Sequence, residues 1–377
     1  MARIVPAWRH WHREGDLPHD SGVESPFFYH PRMLAYDFGP RHPLKPERLR
    51  RAVELIGQWG IAPNDPGEGR LEDVLRVHDP LFVETVEGLS RGAFVNESVR
   101  RLTGFGTIDN PVFAGMFEAS LAYVAGSVRA AEAVRDGARL AFGLAGGLHH
   151  AHRSRASGFC VFNDAAIALS VLRERFSRVA YIDIDVHHGD GVQFLFEEDP
   201  QVLTCSIHES PASLFPGTGR ADDVGPAGTA VNVPLAAGTT GDVWLWAFEH
   251  GILEPITRFE PEAVVLQMGT DAHVDDPLGH LRVSAQEWLR AVVLVRELGL
   301  PIAALGGGGY NLDNVPRMWG AACVALAGGV VPDTLPEDLA ETWGIAGTFD
   351  TELPEPRNRG REEAEAAVEV LCRTLSW

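Results

Sequence analysis

The chain has 377 residues, 45% apolar and 22% charged, with 40 Gly and 25 Pro, which excludes disordered, collagen-like and coiled-coil classes. Its 32 basic against 52 acidic residues give a formal net charge of -20, a field that repels a phosphate backbone and makes nucleic acid a poor direct ligand. A globular chain of this length buries roughly 75% of its unfolded surface, so any metal site in it points to chemistry and not to a need for a staple.

Along the chain, Met1 to His30 mixes Trp, His, Arg, Glu and Asp without an apolar core of signal-peptide length. No later window reaches about 20 apolar residues, so the expected location is cytoplasmic, with no membrane span. A first helix is predicted at Pro46 to Trp59 and a second at Phe113 to Arg135. Strand Leu140 to Leu144, helix Asn163 to Arg175 and strands Arg178 to Asp183 and Val202 to Ile207 follow. Helix Val243 to Phe259, strand Ala263 to Met268, helix Ala285 to Leu298 and strand Ile302 to Leu305 come next. Pro332 to Arg359, rich in Pro, Gly and acids, reads as a surface excursion before a last amphipathic helix, Arg361 to Leu375. Short β-branched runs between helical segments predict an α/β fold, a mostly parallel sheet with helices on its faces. Length alone suggests two domains, but single α/β domains often exceed 250 residues, so one domain over 1–377 is expected. Cys160, Cys205, Cys323 and Cys372 are far apart and form no C-x-x-C pair, as suits a reduced compartment. Lys45 is the single lysine, a skew that fits a GC-rich genome better than a function.

Four of the predicted strands run directly into polar, Gly-containing clusters: Gly146 to His150, Asp183 to Asp190, Gly269 to Asp271, and Gly306 to Tyr310. Ligands of open α/β sheets bind beyond the carboxyl ends of strands, so the clusters are expected to converge on one crevice. Asp183, Asp185 and His187 alternate, so in extended chain they leave one face, and Asp271 from another strand completes a set of two carboxylates and one His. That set suits Zn²⁺ and also admits Fe²⁺, Mn²⁺ or Co²⁺, with a position left open for water or substrate. His149 and His150 cannot share a face on a strand and so must occupy a turn, where a neutral imidazole accepts a proton from water activated by the ion. Asp183 and Asp190 are candidate acceptors for their ring nitrogens. Asp275 and Asp276, beside Pro277, read as turn residues, and His273 is ambiguous. The glycines before Tyr310 let the backbone approach a ligand, placing its hydroxyl to hold a developing oxyanion; no G-x-G-x-x-G fingerprint or Walker lysine supports a phosphate cradle. Cys160 has no base partner that would make it a nucleophile.

These motifs, with Gly39 to Arg48, Gly158 to Asp164 and Phe215 to Gly219, resemble the histone deacetylase family, in its bacterial acetoin-utilisation (AcuC-type) branch, from about Tyr36 to Trp319. The resemblance implies an arginase-like three-layer α/β/α fold, with a motif-bearing core at about 36–320 and a C-terminal segment and helix at 332–377. It implies that Asp185, His187 and Asp271 bind the metal, that His149 and His150 flank the water with Asp183 and Asp190 as their partners, and that Tyr310 polarises the acetamide carbonyl. Gly158, Phe159 and Phe215 would line a narrow tunnel with Leu278 at its rim, Asp109 would hold substrate backbone, and Arg48 would lie on an acetate exit. A structural K⁺ beside the strand ending at Asp183 is a further implication. As plain sequence, Phe159 and Phe215 read equally well as core aromatics and Arg48 as a solvated helix charge.

The implied activity is removal of acetyl groups from lysine side chains of proteins, by zinc-dependent hydrolysis with His150 as base. An amidohydrolase for acetylpolyamines or other small acylated amines is the alternative. A dimanganese ureohydrolase is more distant: its second metal needs a carboxylate where Gly189 stands, and His273 occupies the place of a second Asp. A binding protein without turnover would lack a catalytic group, and none is missing. Solubility is the simplest account of the acidic balance, which also attracts a cationic peptide or polyamine.

Overall fold

The computed structural model describes residues 25–375. Of the stretch Met1 to His30, in which no export signal is read, residues 1–24 lie outside the described residues, as do the last two positions of the expected 1–377 domain. Among the described residues eight strands form one sheet: β1 Phe27–Phe28, β2 Pro63–Asn64, β3 Leu140–Gly143, β4 Val179–Asp183, β5 Val202–Glu209, β6 Ala230–Leu235, β7 Ala263–Gln267 and β8 Ile302–Leu305. Their spatial order is β2-β1-β3-β8-β7-β4-β5-β6, and every pairing is parallel. β3, β4, β7 and β8 are buried along their whole length, as expected of parallel strands covered on both faces, and this is why their sequences read as continuous apolar runs. β6 escapes prediction because Asn232 and Pro234 interrupt it. Proline, with no N–H to give, is tolerated there because β6 is an edge strand.

Helices cover both faces, among them Pro46–Gln58, Met116–Arg135, Asp164–Leu172 and Ala285–Glu297, which match predicted segments with shorter ends. The predicted helix from Val243 to Phe259 is broken into Gly241–Phe248, a wide π-type turn at Glu249–Leu253, and Glu254–Phe259. Pro255, unable to donate a backbone hydrogen bond, sits where the chain leaves that turn. Helix Asn314–Leu326 is buried on nearly every side, so it has no polar stripe by which to be recognised.

The segment Pro332 to Arg359 is more than a surface excursion. Within it Leu335, Leu339 and Trp343 are buried against Leu55 of the first helix, and helix Glu337–Trp343 forms. Asp350 is drawn into a buried network, accepting from Arg317 Nη2 at 2.5 Å and from the Ala285 N–H at 2.7 Å. Among the described residues no helix is long and apolar enough to cross a membrane.

Candidate metal centre

All four polar clusters emerge from the carboxyl ends of β3, β8, β7 and β4, which are consecutive neighbours in the sheet. The chain after β4 is not extended, so Asp183, Asp185 and His187 do not share a strand face as expected. Instead Asp183 Oδ1 accepts the Asp185 N–H at 3.0 Å and Asp185 Oδ1 accepts the His187 N–H at 3.0 Å, two successive side-chain turns that bend the chain around its own carboxylates. Asp183 thereby turns away to His149, while Asp185 and His187 meet Asp271 with ligand atoms all within 4.8 Å of one another, each residue buried.

The set has the chemistry of a cation site. Asp271 Oδ1 accepts the Val186 N–H at 2.8 Å, while its buried Oδ2 has no well-directed hydrogen bond and only His187 Nδ1, itself a ligand candidate, 3.2 Å away. Burial and the neighbouring Asp185 carboxylate push the Asp271 carboxyl up, the result of two negative groups enclosed together. Asp185 Oδ2 accepts from Gln267 Nε2 and from the Gly308 N–H, both at 2.8 Å. Only glycine fits at 308, because a Cβ there would lie 2.0 Å from Asp271 Oδ2. A divalent ion fits this cradle: it balances the charge of the two carboxylates and takes up the Asp271 oxygen that lacks a directed donor.

His149 and His150 occupy a turn, as predicted. Asp164 holds it, Oδ2 accepting the Gly147 N–H at 2.7 Å and Oδ1 the Leu148 N–H at 2.9 Å, while Asn163 Nδ2 donates to the His149 and Ala151 carbonyls. His149 Nδ1 donates to Asp183 Oδ2 and His150 Nδ1 to Asp190 Oδ1, each at 2.7 Å, and the two Nε2 atoms lie 3.0 Å apart. Burial opposes charge on His149, but the Asp183 and Asp185 carboxylates outweigh it and raise the imidazole to about 9. Burial and the positive His149 lower His150 to about 4. At rest His149 Nε2 donates to His150 Nε2, a bond that a water reaching His150 Nε2 replaces.

Tyr310 is aimed by Asp276, a predicted turn residue that proves buried: its Oδ2 accepts the Tyr310 N–H at 2.7 Å and its Oδ1 the Leu278 N–H at 3.0 Å. Burial, with the Asp271 and Asp185 charges, holds the Tyr310 hydroxyl far above its ordinary pKa, so it keeps its proton. Phe159 stands edge-on to Tyr310 at 5.7 Å and Phe215 edge-on to His150 at 5.0 Å, with Gly158 so close that a Cβ would lie 2.4 Å from His150 Cδ2. Phe215 is 43% exposed, Leu278 is half-buried and Asp109 is exposed, so these three lie outward of the buried ligands. Arg48 is not a solvated charge: it is buried and its Nη1 donates to the Gly307 and Gly309 carbonyls at 2.7 and 2.9 Å. His273, ambiguous in sequence, accepts from Asn314 Nδ2 at 2.8 Å and lies 3.1 Å from Asp350. Burial pushes the Cys160 thiol far up, in keeping with an inert cysteine.

Gln267 and Asp164 were missed as site residues. The available signal was a polar residue closing an apolar strand, and an acid opening an apolar helix. Residues 42–326 match the histone deacetylase domain. The chain is 38% identical over 337 residues to the acetoin utilization protein AcuC of Bacillus subtilis, covering 85% of this chain and 86% of the relative. It is 37% identical to histone deacetylase clr6 of Schizosaccharomyces pombe, covering 84% and 80%. A crystal structure of a histone deacetylase homologue from Aquifex aeolicus superposes with a TM-score of 0.80 at 31% identity, covering 90% of this chain and 98% of that one. By its arginase/deacetylase-type sheet, its motifs and these relatives, the chain belongs to the histone deacetylase family, a family of hydrolases acting on amides.

Proposed function

We propose that the protein removes acetyl groups from acetylated lysine side chains by metal-dependent amide hydrolysis, working as one catalytic domain. The carrying observation is the pair of imidazoles, each on its own buried carboxylate, whose Nε2 atoms meet at 3.0 Å in the cavity that Asp185 and Tyr310 also line. Asp185, His187 and Asp271 would hold the ion, Zn²⁺ by preference and Fe²⁺, Mn²⁺ or Co²⁺ by availability. When bound, a divalent ion acidifies an attacking water and polarises the acyl oxygen.

The remaining work falls to side chains. His150, neutral at neutral pH, takes the proton of the attacking water at Nε2 and passes it to the departing nitrogen, while Asp190 fixes the ring through Nδ1. His149, held through Nδ1 by Asp183, sets its ring beside His150 at the attacking water. The protonated Tyr310 hydroxyl donates to the acyl oxygen. Gly158, Phe159, Phe215 and Leu278 grip the methylene stem, Asp109 holds substrate backbone at the rim, and Arg48 borders the exit of acetate. Acetate and a free amine result.

Gly189 weighs against a second metal, since a Cβ there would lie 2.4 Å from Asp183 Oδ2 and leaves no room for a carboxylate. The net charge of -20 suits the cationic amine product. Product release from an acetyl-lysine peptide, acetylated polyamines and peptides with longer acyl groups, all with zinc-loaded protein, tests the proposal. The acetyl-lysine peptide is expected to give the highest kcat/KM; preference for a polyamine would replace the substrate class, and no release from any would end the hydrolase reading.

A further inference from the structure

The rim turn at residues 106–110 is bonded mainly to itself: the Gly106 N–H donates to the Asn110 carbonyl at 2.9 Å and the Asn110 N–H to Thr107 Oγ1 at 2.9 Å. Ile108 and Asp109 are exposed at its tip. A turn of this kind does not fix its own position over a tunnel. His42 reaches it from a different part of the chain, its Nε2 lying 3.2 Å from the Asp109 carbonyl. On the opposite side of the ring, Nδ1 accepts the Leu44 N–H at 3.1 Å, and Leu44 lines the cavity that holds the imidazole pair. Accepting at Nδ1 leaves Nε2 as the protonated nitrogen, so the bond to Asp109 runs from imidazole to carbonyl. The ring is buried and clamped between Phe38 at 4.5 Å and the tunnel-wall Phe159 at 4.4 Å. Burial disfavours its charged form, which preserves the acceptor at Nδ1.

We infer that His42 is a positioning residue for substrate choice: it ties the rim turn carrying Asp109 to the tunnel wall, and so sets the preference for acylated lysine within a polypeptide over a small acylated amine. The inference rests on the reading that Asp109 engages substrate backbone. A substrate with amides on both sides of its lysine gains from an Asp109 held at a fixed distance from Phe159. An amine with the same stem and no backbone gains nothing from it.

The test measures kcat and KM of the full zinc-loaded chain on an acetyl-lysine peptide and on N-acetylcadaverine, which presents the same stem without a backbone. His42→Phe keeps an aromatic ring and removes both bonds. The ratio of kcat/KM for peptide over small amine is expected to fall about tenfold, through a higher peptide KM and not through kcat. His42→Gln, whose amide offers a donor towards Asp109 and an acceptor towards Leu44, is expected to recover most of the ratio, a rescue that a packing role does not predict. If His42→Phe does not fold, His42→Asn replaces it, its shorter amide able to meet Leu44 but not Asp109, with the same expected loss. Asp109→Ala separates the two ideas. If it lowers the ratio and the His42 variants do not, the inference is overturned and the rim reading stands; if it leaves the ratio unmoved, both fall.

Discussion

Replacing Gly308 by Ala is the sharpest perturbation of the metal cradle that keeps the identity of every proposed ligand. The new methyl carbon would sit 2.0 Å from Asp271 Oδ2 and 2.7 Å from Asp185 Oδ2, where real Cβ contacts do not fall below 3.0 Å. At least one carboxylate or the 308 backbone must therefore move by about 1 Å, several times the ±0.2 Å that metal–ligand distances tolerate. If the backbone moves, the Gly308 N–H leaves Asp185 Oδ2 and a supporting bond is lost as well. Loss of such support weakens metal binding by about 10- to 100-fold, roughly 1.4–2.8 kcal/mol. Competition for Zn²⁺ against a chromophoric chelator, with circular dichroism to verify the fold, measures it. Gly308→Ala protein that binds zinc as tightly as the parent would refute the placement of the ion between Asp185 and Asp271.

Three further outcomes are expected. Tyr310→Phe should lower kcat by roughly 10²- to 10³-fold with metal content unchanged, since one oxyanion donor is removed; undiminished turnover would take Tyr310 out of the mechanism. Asp185→Asn should empty the metal site, and full zinc occupancy by elemental analysis would contradict the ligand set. His78 concerns pH and stability. Its Nδ1 donates to the His152 carbonyl at 3.0 Å and its Nε2 accepts the Asn163 N–H at 2.9 Å, so a second proton has no place, and burial lowers the imidazole to about 4. With the folded value below the ordinary one of about 6.5, its contribution is complete above about pH 6.5 and is lost as pH falls towards about 4, about 3 kcal/mol in all. Urea unfolding of His78→Gln should show a correspondingly shallower acid loss than the parent between about pH 7 and pH 4.5; parallel curves would dismiss the idea.

Legibility in the sequence followed burial and chemistry. β4, β7 and β8 were readable because both their faces are covered, which leaves largely apolar runs that lead into the polar, Gly-containing clusters. β6 and the helix Asn314–Leu326 were not, the first because an edge strand tolerates Asn232 and Pro234, the second because complete burial erases the helical stripe. Arg48 reads as an exposed helix charge until the Gly307 and Gly309 carbonyls are placed over it. Gln267 and Asp164 leave only a weak local trace, a polar residue closing an apolar strand and an acid opening an apolar helix, because their reach to Asp185 and to the Gly147 turn runs to partners distant in the chain.

The sequence by itself determined the kinds of groups in the site and that each follows a strand: carboxylates, imidazoles, a tyrosine and the glycines that let backbone approach them. Side-chain chemistry and local periodicity are properties of short segments, so they survive without the fold. Only the tertiary structure decided that β3, β8, β7 and β4 lie side by side, which brings together residues as distant as His149 and Tyr310. It also bent the chain after β4 so that Asp183 reaches His149 while Asp185 faces Asp271, the pairing the motifs imply but extended chain would not give. Strand order and the turns after β4 depend on burial and hydrogen bonds between remote segments, and those energies exist only once the chain has closed on itself.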